Sequence, residues 1–242
     1  MKRTTSPVIP RSAGTRDLLC RLHLTVLRLI GAFLLVAAAG CIHGKLPPIE
    51  YYRLRLPQTE QSPPPVGHDG GIVGLPAGAI AILPYTTPGI YGDGGIVYRV
   101  DESAYGAYQN REWAVPVPTM LGMMTQDLFQ SRPLTRDPSV FDPPSAHSYP
   151  YVWRGAVREL EEVDRGKQVF AAVRLDARLV RSRDDSVLWA GSARLEKLVP
   201  EGTMPAIVAA LSDMAAQVIT QLQDSARVAL GGPAGSAAVA PR

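Results

Sequence analysis

Cysteine is scarce in this chain, with Cys20 and Cys41 the two present in 242 residues. So few thiols exclude the disulfide-dense scaffolds on which small secreted domains rely. Histidine is nearly as sparse, and beyond residue 41 only His43, His68 and His147 occur, none with a second ligand at metal-binding spacing. Aromatic residues make up 7% and charged residues 19% of the chain, which argues against a base-stacking platform for nucleic acid. The net charge of +3 is misleading, because the first 28 residues carry six cations against the single Asp17, and the rest is net −2. A body of that sign lacks the cationic footprint that counterion release requires, so nucleic acid is excluded as a partner.

Catalytic patterns are missing too. No G-x-S-x-G elbow occurs, and the Gly-rich stretches at 70–71 and 92–95 do not lie between a strand and a helix, so they read as turns and not as phosphate cradles. No residue is assigned a catalytic role, and no metal or other cofactor is expected. Glu159, Glu161, Glu162 and Asp164 lead into a hairpin and read as a solvated strand end.

What is present begins with an address. Arg28 precedes twelve apolar or small residues, 29–40, and these end in Ala38-Ala39-Gly40 directly before Cys41. Cations, a short apolar run and a small-residue junction are the parts of a cleaved export signal. The run falls short of the ~18–20 residues a permanent span needs, and no second span is expected after it. The junction resembles a bacterial lipobox, whose cysteine is acylated and becomes the new N-terminus. This resemblance makes Cys41 the lipidation site and 1–40 a discarded signal. Three acyl chains hold a protein far more firmly than one, at ~0.8 kcal/mol per buried methylene. Ile42, where inner-membrane lipoproteins usually carry Asp, points to the outer membrane.

Residues 41–47 form a tether, 48–228 a single domain and 229–242 a disordered tail. Within the domain, 49–56 alternates apolar and polar side chains as a first strand, and 79–83 is a short apolar run suited to a buried strand. Short extended pieces are expected at 96–100 and 105–108. Val117, Met120, Leu121, Met124 and Leu128 share one helical face, with Pro118 in the first turn, and 133–149 reads as a Pro-rich loop. Three long strands follow, at 150–163, 167–182 and 187–199. In the middle one Val169, Ala171, Val173, Leu175, Ala177 and Leu179 point one way. Val187, Trp189, Ala193 and Leu195 continue that face in the third strand. A closing helix starts at Thr203-Met204-Pro205 and carries a stripe from Ile207 to Leu222. The order predicts an α+β fold, mainly antiparallel, with two helices packed on one face of the sheet. Between the first helix and the strand before it, Tyr98, Arg99, Tyr105, Tyr108, Arg111 and Trp113 gather the residue types that interfaces enrich, so this stretch is the candidate partner-binding surface.

These pieces occur in a recognisable order: the lipobox cysteine, Pro47-Pro48-Ile49-Glu50-Tyr51-Tyr52-Arg53-Leu54, Ile80-Ala81-Ile82-Leu83-Pro84, Pro88-Gly89-Ile90, Ile96-Val97-Tyr98-Arg99-Val100 and Arg111-Glu112-Trp113-Ala114. From Cys41 to Leu222 the chain resembles the ABC-type transport auxiliary lipoproteins, which include the paraquat-inducible protein C-like lipoproteins. The resemblance implies a non-catalytic, periplasm-facing accessory subunit of a lipid-transport system, attached to the outer membrane by its lipid. It further implies an MCE-domain substrate-binding protein and inner-membrane ABC permease components as partners, and it leaves room for a homo-oligomer. A secretin-pilot-like or lipopolysaccharide-assembly-like lipoprotein is the alternative, and a periplasmic hydrolase is disfavoured by the missing motifs.

Overall fold

A computed structural model describes residues 47–56, 76–101 and 103–230. Cys41 and the signal lie outside these residues, as does the tail from 231. The described elements belong to the unit Pro48–Arg242. They are β1 (Glu50–Tyr52), β2 (Ile80–Ile82), α1 (Gly89–Gly92), β3 (Gly95–Val100), β4 (Ala104–Trp113), α2 (Val117–Ser131), β5 (Val140–Phe141), β6 (Tyr151–Arg165), β7 (Gln168–Arg181), β8 (Ser186–Leu198) and α3 (Met204–Ala229).

The fold is α+β, as the order of apolar periodicities implies. β6, β7 and β8 form a long antiparallel meander. The other edge of β6 is shared between two shorter groups: its first residues pair in parallel with β2, which carries β5, and its last residues pair in parallel with β3, which continues through β4 to β1. The sheet is therefore mixed, with its long pairings antiparallel and most of its short ones parallel. β2 is buried throughout, and its continuous Ile-Ala-Ile suits a strand covered on both faces.

The two long helices cover one face. All five apolar positions expected on the first helix are buried in α2, and Pro118 sits in the first turn, where no intrahelical donor is missed. In α3 the stripe Ile207, Val208, Leu211, Ala215, Val218, Ile219 and Leu222 is buried as expected. By length and composition α3 is able to cross a membrane, yet most of its apolar window is buried inside the fold. Its burial against β7 and β8 makes it a core helix. Trp153 of β6 lies at the centre, edge-on to Phe129 of α2 and stacked on Trp189 of β8, whose indole N–H donates to Ser225 of α3 at 3.1 Å.

Several expectations need correction. The first strand stops at Tyr52 because β4, its partner, ends at Trp113. Beyond that point Leu54 N–H meets Met120 Sδ at 3.4 Å and Arg55 N–H donates to Ser212 Oγ at 3.3 Å, so side chains of α2 and α3 take over from the ladder. The loop 133–149 contains the two-residue β5 and a 3-10 turn at Ala146–Ser148. A short helix, α1, precedes β3 where only turns were expected. Val187 is exposed because the register shifts between Leu179 and Val180, displacing it from the alternation. Thr203 holds the N-cap position without a side-chain bond.

The largest correction lies on β6. Val157 pairs with Leu175 and Glu159 with Arg174, which leaves Arg158 as an extra residue in a bulge. The bulge resets the alternation, so Leu160 joins Trp153 and Val157 on the helix-covered face, and Glu161 turns to the opposite one. Glu161 is 0% and Glu162 4% exposed, so neither belongs to a solvated strand end.

Candidate functional site

β3 and β4 form a hairpin whose turn places Asp101 in the left-handed region at φ 59°. The hairpin carries the candidate partner-binding residues. Its register sets Arg99 opposite Tyr105 and Tyr98 opposite Gly106. Gly106 matters here because a Cβ would overlap the Tyr98 ring. Released from that clash, Tyr98 packs at 5.0 Å from Tyr108.

This stretch and the acidic run on β6, far apart in the sequence, are joined in the structure. Arg99 Nε reaches Glu161 Oε1 at 2.6 Å, and Tyr91 of α1 donates to Glu161 Oε2 at 2.5 Å. Tyr108 donates to Glu162 Oε2 at 2.9 Å, and the Arg111 guanidinium lies 4.8 Å from the Tyr108 ring centre. Neighbouring residues on a strand face opposite ways, so each buried carboxylate needs its own partners and finds a tyrosine on its own side. Burial pushes the Glu162 carboxyl above its ordinary range, against the opposing pull of the Tyr108 bond. Both phenols are driven far up, first by burial and then by their carboxylates.

Of the six candidate residues, Tyr105 is the one left open, at 50% exposure. Its ring also takes the Arg99 guanidinium at 5.8 Å. Trp113 is 6% exposed and belongs to the hydrophobic core, so its indole is not presented to a partner and it leaves the contact set. Tyr98, Arg99, Tyr108 and Arg111 are held by partners of the fold. The other exposed apolar side chains on β1 and β3 lie apart from Tyr105: Tyr51 is beside Glu112 at the far end of β4, and Val100, paired with Ala104, is on the opposite face of the hairpin. Among the described residues no group of three or more His, Cys, Asp or Glu side chains is arranged to hold a metal.

A second feature escaped the sequence reading. Residues 53–56 run as a rib between α2 and α3, with a cleft on each side. The α3-side cleft is about 600 Å³ and includes Tyr52, Pro205, Val208 and Asp213. Its α2-side counterpart is about 450 Å³ and includes Val115, Met120, Met123 and Asp127. Arg53 and Arg55 line both. Desolvation raises the Asp127 carboxyl. The available signal was the repeat Arg53-Leu54-Arg55-Leu56, which alternation alone assigns to a strand.

A family model described as the ABC-type transport auxiliary lipoprotein component matches residues 53–223. The chain belongs to that family. Membership makes it a lipoprotein accessory to an ABC-type transporter. A Xanthomonas campestris protein assigned to the family DUF330 has the same fold, with a TM-score of 0.60 and 18% identity over 75% of this chain and 96% of that one. More distant are the PelC dodecamer of Paraburkholderia phytofirmans (TM-score 0.44, 13% identity, 64% and 91% covered) and a Neisseria meningitidis lipoprotein (TM-score 0.32, 16% identity, 62% and 100% covered). No curated protein sequence matches the chain.

Proposed function

We propose that this protein is an outer-membrane adaptor, lipid-anchored through Cys41, that works by binding within an MCE-type lipid-transport assembly and performs no catalysis of its own. The observation that carries the reading is the family match over residues 53–223, which takes in every described element from β2 to β8 and most of α3. The half-exposed Tyr105 ring on the β3–β4 hairpin supports a protein contact there, because Tyr is among the residues that interfaces enrich. In this reading Tyr105 is the anchor of the contact, and Tyr98, Arg99, Tyr108 and Arg111 hold its surroundings rigid. An MCE-domain protein and inner-membrane ABC permease components are the partners.

Affinity purification of the full-length protein from detergent-solubilised membranes is the test. Recovery of an MCE-domain protein, together with mass-spectrometric detection of an acylated Cys41, is the expected result. Recovery of a secretin instead, or of a soluble protein with an unmodified Cys41, overturns it.

A further inference from the structure

We propose that the paired clefts astride residues 53–56 form a phospholipid site, in which Arg53 and Arg55 take the phosphate, Asp127 or Asp213 takes a headgroup ammonium, and the clefts take the acyl chains. The inference rests on the transport reading and deepens it by naming the ligand class.

Charge comes first. Arg53 and Arg55 are exposed, and no ion pair or side-chain hydrogen bond joins either guanidinium to another described residue. Elsewhere the arginines are largely committed: Arg165 and Arg194 both pair with Glu196, Arg158 with Asp176, and Arg132 with Asp224. Two unpaired guanidinium groups one residue apart suit a phosphate, whose oxygens accept their planar forks. Each cleft also carries one carboxylate, Asp127 on α2 or Asp213 on α3. Two cations and an acid on facing walls are the complement of a headgroup with a phosphate and an ammonium, and they oppose a purely anionic one.

The walls supply the rest. Met120, Met123 and Met124 line the α2 side, and Met123 is half exposed. Unbranched thioethers adapt to flexible chains. Pro205, Val208 and Ala209 line the α3 side. Both volumes fall in the range of roughly 300–1,000 Å³ typical of small-molecule sites. The rib is fixed to both helices by the Leu54 and Arg55 backbone bonds, so the two clefts and the shared cations form one preorganised unit.

The test uses full-length protein in a non-ionic detergent, irradiated with phosphatidylethanolamine that carries a diazirine in one tail. Labelled peptides are expected to contain residues 120–124 or 205–212. Unlabelled phosphatidylethanolamine should compete at about tenfold lower concentration than phosphatidylcholine or phosphatidylglycerol with the same tails. Arg53→Gln combined with Arg55→Gln should cut labelling by about tenfold at an unchanged urea midpoint, since both side chains are exposed and unpaired. Adducts elsewhere, equal competition by the three headgroups, or equal competition by tail-free glycerophosphoethanolamine overturns the site. Loss of labelling with MCE co-purification retained sinks this site alone; retained labelling without co-purification sinks the adaptor reading alone.

Discussion

Arg99 Nε lies 2.6 Å from Glu161 Oε1, and Glu161 is fully closed off from water. With Tyr91 on its second oxygen, the carboxylate is held from both sides. A buried ion is costly alone and tolerable when paired, so removing the cation is worse than removing the pair. Arg99→Met is expected to cost about 3 kcal/mol of unfolding free energy in urea. The double variant Arg99→Met with Glu161→Gln should recover a large part of that loss. Equal losses in the single and double variants would show that the pair contributes nothing as a pair.

Gly155 of β6 lies beneath the Tyr85 ring, where an added Cβ would overlap it. Tyr85 has little room to retreat, being buried with its hydroxyl 2.8 Å from Thr125 Oγ1 and taking a 3.4 Å bond from Trp153 Nε1. Gly155→Ala is therefore expected to destabilise by about 1–3 kcal/mol through overpacking. Tyr85→Phe removes the shared hydroxyl and should cost about 1–3 kcal/mol, by leaving buried polar groups short of a partner. Chemical melts of both variants check this, and a neutral Gly155→Ala would mean that the ring shifts freely.

Glu162 makes stability depend on pH in a defined direction. Burial, the largest cause, raises its carboxyl above the ordinary value of 4.5 in the folded state. The folded protein thus holds that proton more tightly, and the benefit is complete below about pH 4.5 and lost as pH rises through the folded value. Glu162→Gln keeps an acceptor for Tyr108 and removes the titration. Relative to wild type, the variant should gain stability progressively as the pH is raised from 4 to 8, read as urea midpoints. A pH-independent difference would assign the effect to packing instead of charge.

How far the fold was legible follows from how local each signal is. Both long helices were readable because Pro118 and Pro205 mark their first turns and their apolar stripes span several turns. The meander was readable from the alternation between Val169 and Leu179, which register with β6 and β8 preserves. β5 was not, since Val140-Phe141 is too short for any period and is a strand only because β2 lies beside it. The Arg158 bulge was equally hidden, and with it the inward turn of Glu161. Carboxylates in an alternating run look solvated until Tyr91, Arg99 and Tyr108 arrive from a short helix and two strands more than fifty residues earlier. At the candidate interface, residue type selected the stretch from Tyr98 to Trp113, and exposure, which residue type does not encode, separates Tyr105 from Trp113.

That separation gives the sharpest test of the contact surface. Tyr105 is half exposed, whereas Trp113 packs in the core beside the point where β1 and β4 end together. Tyr105→Ala removes an accessible ring and should leave folding within about 1 kcal/mol of wild type, while lowering affinity for an MCE-domain partner by about 1–4 kcal/mol if it anchors the contact. Trp113→Ala should do the opposite first, costing about 3–5 kcal/mol of folding free energy by opening a cavity. Urea melts and pull-downs on the same two variants separate the outcomes. A stable Tyr105→Ala that still captures its partner at wild-type affinity would move the contact away from the exposed ring that Arg99 faces on the β3–β4 hairpin.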